Sequence, residues 1–220
     1  MSEASVVNPA HTHPSSGPAP TVPVSSQIVA LGSAVLLTAC LVASAVVATL
    51  QQGELQAALG TDLAPTGAEA LMGRLVLGAF AASVLALLST AWWLLAIRDI
   101  AAWHAPEHRQ RRSAAWPALG WIMPIVQYWF PYQMVADASR AVGSKVTNFW
   151  PWWISWLVLM HGSVFFNQRR TFDELGSSAE VSSWIAGYQW GAAVAVLSFV
   201  LWWRIVRSAT RAAAVAVGRA

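Results

Sequence analysis

Four stretches of this chain run without a single Asp, Glu, Lys or Arg: Gln27–Leu50, Leu75–Ile97, Phe149–Asn167 and Trp184–Trp203. A hydrocarbon core of about 30 Å is crossed by a helix of roughly 20 apolar residues. Within it a backbone must satisfy its own hydrogen bonds, which leaves helices or a closed barrel. Uncharged runs of this length predict an all-α integral membrane protein with four transmembrane helices. Composition agrees, since only 10% of residues are charged and 56% are hydrophobic, against about 25% charged in a soluble domain. Fourteen tryptophans against three tyrosines suit a chain with much interfacial surface, where an indole is half buried and its N–H still reaches water.

The segments between these runs set the topology. Residues 1–26 hold five of the eleven prolines and no Lys or Arg; they read as a disordered tail and make a poor signal peptide. Residues 51–70 carry three acids and no base, residues 98–112 are strongly basic, and 204–220 form a basic amphipathic tail. In that tail Arg204, Arg207 and Arg211 share one helical face, with about 1 kcal/mol available to each beside anionic lipid. The pI near 9.6 therefore reflects loop arginines and gives no sign of a nucleic-acid partner.

A fifth apolar stretch, PALGWIMPIVQYWFPY (117–132), has prolines at 117, 124 and 131. If it turns back, the domain over 27–203 has four crossings with both termini cytoplasmic, and ten of the thirteen bases lie inside. If it crosses, one of two strongly basic segments must be translocated. The positive-inside bias favours the first layout, which puts every tryptophan but Trp184 and Trp190 towards the inner face. Each proline removes an N–H and crowds the carbonyl four residues earlier, so Pro124 disturbs Gly120 and Pro131 disturbs Gln127. Residues 114–139 thus read as a proline-broken re-entrant or interfacial helical hairpin; a kinked fifth span is the alternative.

At these residues the chain resembles a family of actinobacterial multi-span membrane proteins, the domain of unknown function 4328. The resemblance rests on GWIMPIVQYWFPYQMV (120–135), FWPWWISWLV (149–158) and RIVRSATR (204–211), and spans roughly 75–212. It implies a multi-span membrane fold in the bacterial cytoplasmic membrane and, the family's activity being unknown, no function.

Chemistry-bearing patterns are few. HAPEH (104–108) matches the H-x-x-E-H string of some zinc peptidases, but Pro106 opposes the helix that the string needs and the adjacent RQRR repels a cation. It reads as a solvated loop. LTAC (37–40) resembles a lipoprotein processing box but lies within an apolar run, which makes Cys40 a small packing residue; being alone, it forms no intrachain disulfide. His161 lies inside the third span, where an ionisable side chain is a functional candidate unless a partner holds it neutral. Small residues at four-residue spacing, Gly78, Ala82, Ala86 and Gly187, Gly191, Ala195, suit close helix packing within the chain or between copies.

No catalytic, cofactor or metal constellation emerges. The first functional expectation is a non-enzymatic protein that binds lipid or a membrane-protein partner through Trp121, Pro124, Gln127, Trp129, Pro131, Tyr132 and Gln133. The second is a small oligomeric transporter or channel component with His161 on the path. A lipid-modifying enzyme ranks last.

Overall fold

The structure is a computed structural model and describes residues 18–59, 66–106, 108, 113, 115–121, 123, 125–165 and 176–218. Pro124, Arg109, Arg111 and Arg112, the junction at 166–175 and most of the N-terminal tail lie outside the described residues. All regular structure among those described is helical: α1 (Val24–Leu50), α2 (Gln52–Ala58), α3 (Thr66–His104), α4 (Trp116–Leu119), a 3-10 turn (Val126–Tyr128), α5 (Phe130–Ala141), α6 (Trp150–Phe165) and α7 (Ser178–Gly218). Three of these, α1, α3 and α7, are long and apolar enough to cross a membrane. The 16 residues of α6 reach about 24 Å at 1.5 Å per residue, short of a full core by themselves.

α1 runs antiparallel to both α3 and α7. The hydroxyls of Ser33 and Ser89 meet at 2.9 Å, and the Gln189 amide donates to Thr49 Oγ1 at 3.0 Å. The small-residue ridges are what allow this approach. A Cβ on Gly78 would stand 3.5 Å from Cys40 Sγ, and Ala82, Ala86, Gly187, Gly191 and Ala195 are buried. These ridges pack helices of one chain. Hydroxyls on α1 are satisfied by their own helix, as in Thr38→Ala34 O at 2.8 Å and Ser44→Cys40 O at 2.9 Å, which keeps them tolerable in an apolar setting.

Two boundaries differ from the sequence expectation. α3 and α7, at 39 and 41 residues, extend to about 60 Å, well past the apolar runs 75–97 and 184–203. Arg98 or Arg204 ends hydrophobicity without ending a helix, because Arg and the Ala-rich sequence after each are good helix formers. The basic tail continues the helix, as the one-face spacing of its arginines implies: its described part is the last turns of α7, with Val206, Ala209 and Ala213 fully buried.

The molecule has two zones. Up to Trp92 on α3 and Trp203 on α7, large apolar side chains such as Leu77, Phe80, Leu88, Leu197 and Val200 are exposed. Just beyond, Trp93, Leu94, Ile97 and Ile100 of α3 and Ile205 and Val206 of α7 are buried in one cluster with Met134, Val135 and Ala138 of α5. α5 therefore closes the lower ends of α3 and α7 into a compact foot. Arg98 and Asp137, both buried, face each other across it and attract electrostatically.

Candidate functional site

Between α3 and α6, the described prolines open helices and the aromatics anchor them. Pro117 stands in the first turn of α4, Pro131 in the first turn of α5, and Pro151 follows Trp150 at the start of α6. In these places the missing N–H has no helical partner to lose and φ is already helical. The expectation that Pro131 interrupts a helix is corrected: it opens one. The break lies just before it, at Trp129, whose φ of −144° leaves the helical region.

The segment doubles back. Trp116 and Phe130 meet edge to face with centroids 4.7 Å apart. Gly120 fits between them because it has no side chain: a Cβ there would stand 2.8 Å from Trp116 O and 3.0 Å from Met134 Cε. Three rungs then tie the segment to α6. Tyr132 stacks on Trp150 at 4.4 Å. The Trp153 indole N–H donates to the Tyr128 carbonyl at 2.8 Å, satisfying a backbone oxygen at the end of the 3-10 turn. The Tyr128 hydroxyl lies 2.9 Å from His161 Nε2, with the two rings stacked.

The residues singled out from sequence therefore separate into three groups. Trp121 is buried, its ring 6.1 Å from Trp153 and 6.0 Å from Trp156, and Pro131 is buried in the first turn of α5. Gln127, Tyr132 and Gln133 are half-buried along the turn, where the Gln127 N–H bonds Met123 O at 3.0 Å and the Gln133 N–H bonds Trp129 O at 3.0 Å. Trp129 is exposed, beside Ile125 and Tyr128. Pro124 is outside the described residues. One run of similar residues thus supplies a plug, a turn and an open aromatic edge.

His161 is held at both ring nitrogens, since Nδ1 also lies 2.9 Å from the Leu157 carbonyl. His104 closes α3, Glu107 is outside the described residues, and no group of three metal-binding side chains occurs among the described ones.

A second region appears that the sequence shows only in part. Past the end of α5, Gly143 with φ of +76° makes a left-handed turn, with Gly143 N bonding Arg140 O and Ser144 N bonding Ser139 O, each at 2.9 Å. That pattern terminates helices and favours glycine. Ser144 Oγ then meets Ser208 Oγ of α7 at 2.9 Å, and the Lys145 N–H donates to the same hydroxyl at 3.1 Å. The two bonds set Lys145 beside the arginine face of α7. Between them lies a groove of about 730 Å³ lined by His104, Lys145, Trp203, Arg204, Arg207 and Arg211. The periodicity of the three arginines is legible in the sequence; Lys145 opposite them is not.

A family model described as "Domain of unknown function (DUF4328)" matches residues 56–211, from within α2 to the last arginine of that groove. No curated protein and no solved structure matches the chain.

Proposed function

The chain belongs to the DUF4328 family, and from that premise we propose that it is a non-enzymatic protein of the bacterial cytoplasmic membrane that binds lipid or a membrane-protein partner at the inner leaflet. In this reading α1, α3, α6 and α7 span the bilayer, and both termini are cytoplasmic. The segment 116–129 enters from the cytoplasmic side and returns.

One observation carries the reading: Trp116 and Phe130 touch while Tyr128 between them reaches His161. From the Tyr132–Trp150 rung to the Tyr128–His161 rung is about 16 Å along α6, roughly half of a 30 Å core. The Tyr128 carbonyl is held at Trp153 and only its hydroxyl reaches His161, which supports a segment that enters partway and turns back. Its exposed edge, Ile125, Tyr128 and Trp129, then meets lipid or a partner within the inner leaflet, where amphipathic aromatics are favoured.

A solute path fits less well. The space between Trp121, Trp152, Trp156 and Trp202 is about 50 Å³, room for a few waters.

Cysteine accessibility tests the layout. In a Cys40→Ala background, single cysteines introduced in place of Gln110 and Lys145 are both expected to be protected from a membrane-impermeant maleimide on intact cells and to react after lysis. Labelling at position 145 from outside, with position 110 protected, makes the segment a fifth span and ends the proposal. Trp129→Ala and Ile125→Ala test the binding edge; unchanged co-purifying lipid and protein in both, with normal insertion, counts against it.

A further inference from the structure

The cationic groove on α7 is built for an anionic group at a fixed depth. Lys145, Arg204, Arg207 and Arg211 line it, and no carboxylate among the described residues does. Four cations around one space repel each other, an arrangement that costs free energy unless an anion occupies it or water screens it. The loop that brings Lys145 in is fixed by two hydrogen bonds to Ser208 and by the glycine turn at 143, so the convergence belongs to the fold and is not a chance meeting of long side chains.

What the anion is attached to follows from the stripe above it. Val196, Val200, Trp203 and Arg207 fall at i, i+4, i+7 and i+11, one face of α7. The first three are exposed apolar side chains, and the Arg207 guanidinium lies 4.8 Å over the Trp203 ring. An exposed apolar stripe, then an indole, then a cluster of guanidinium groups is the order that a phospholipid presents: acyl chain, glycerol level, phosphate. Guanidinium groups bind phosphate by paired N–H donors, and the groove volume suits a headgroup. Val142, Val146 and Ala212 complete an apolar wall against which a headgroup's carbon skeleton can rest.

We infer that this groove is a binding site for the phosphate-bearing headgroup of an anionic membrane phospholipid, whose acyl chains leave past Trp203 along Val200 and Val196. The inference rests on the topology proposed above for placing the groove at the inner interface, and it concerns residues separate from the aromatic edge.

The test is native mass spectrometry of the full chain in mild detergent, titrated with dioleoyl phosphatidylglycerol or dioleoyl phosphatidylcholine. Wild type is expected to retain phosphatidylglycerol at least about ten-fold better. The triple variant K145Q/R204Q/R207Q should bring the two lipids to near parity, and K145Q alone, on an exposed loop, should lower the preference several-fold. Arg74→Gln, near the opposite end of α3, should leave it unchanged. Equal preference in wild type, or a preference that survives in K145Q and in a well-folded triple variant, overturns the site. Displacement of the lipid by about 10 mM inorganic phosphate overturns the lipid as occupant and leaves a soluble phosphorylated one. Because the cysteine labelling reports topology without lipid selection, failure of either reading is seen separately: selective retention, with position 145 labelled from the exterior, overturns the layout and not the groove.

Discussion

The hydroxyl of Tyr128 lies 2.9 Å from Nε2 of His161, while Nδ1 of the same ring lies 2.9 Å from the carbonyl of Leu157. A carbonyl only accepts, so Nδ1 carries the proton. In the neutral ring Nε2 is then the acceptor for the tyrosine O–H. Both nitrogens are occupied without a charge, so the ring is satisfied where it stands, as the proposed span through α6 requires. This makes His161 the upper anchor of the broken segment, and a proton relay through it has to break one of the two bonds first.

The expected consequence is energetic coupling. In a double-mutant cycle of Tyr128→Phe and His161→Ala, followed by unfolding in detergent, the pair should show about 0.6 kcal/mol of interaction, the scale of interhelical hydrogen bonds in membranes, with stacking adding to it. Effects that sum within measurement error mean that the anchor is not formed.

Gly120 and Gly78 separate two reasons for glycine in such a chain. Both are helical in backbone conformation, so neither is needed for φ. At Gly120 an added Cβ meets a backbone oxygen at 2.8 Å and Phe130 Cβ at 3.4 Å, atoms that cannot swing aside. Gly120→Ala is expected to force the arms at Trp116 and Phe130 apart and cost about 1–3 kcal/mol. At Gly78 the nearest atom is Cys40 Sγ at 3.5 Å, an ordinary contact, and Gly78→Ala should be neutral or stabilising by up to about 1 kcal/mol. Equal thermal stability of the two variants would falsify the distinction.

Much of this was legible in the sequence, for a physical reason: transfer of apolar residues into hydrocarbon is close to additive along a run, so α1, α3 and α7 stand out by composition alone. Their ends were not legible. Arg98 lies inside α3 because a helix leaving the bilayer need not stop, and Asp137, which makes burying Arg98 tolerable, is on another helix. The aromatic run 121–132 shows the same limit. Nothing in its composition tells that Trp121 faces inward and Trp129 outward, because that division is made by where the chain turns. The groove is the extreme case: Lys145 and Arg207 come to line one space because Ser144 and Ser208 bond, a pairing between distant positions that periodicity cannot reveal.

Trp93 and Thr210 test the foot of the molecule. The indole N–H donates to Thr210 Oγ1 at 3.0 Å with both side chains buried. Thr210→Val keeps the shape and removes the acceptor, leaving a buried donor unpaired at a cost of about 1–3 kcal/mol. Thr210→Ser keeps the oxygen and should cost less than about half as much. A stable Thr210→Val protein would show that the hydroxyl does not hold the indole.

The buried charge pair gives the most discriminating measurement. Arg98 is 9% exposed and Asp137 7% exposed, and of the two carboxylates acting on Arg98, Asp137 contributes more than Asp99. Asp99 is exposed to solvent, so water screens it. Asp137→Asn therefore removes the stronger of the two carboxylate attractions on a buried guanidinium, and a buried pair broken from one side typically costs about 3–5 kcal/mol. Because Asp99 still acts on Arg98, the loss should fall at the lower end, near 3 kcal/mol. Asp99→Asn, on the exposed side, should stay within about 1 kcal/mol of wild type. Replacing both partners by apolar side chains of similar size, as Arg98→Met with Asp137→Leu, should recover most of the loss, since desolvation of two charges is avoided together with their attraction. Unfolding midpoints of the four proteins in one detergent decide the matter. If Asp137→Asn and Asp99→Asn shift the midpoint equally, α5 is not fastened to α3 by this pair, and the apolar cluster around Met134 and Ile97 holds the foot alone.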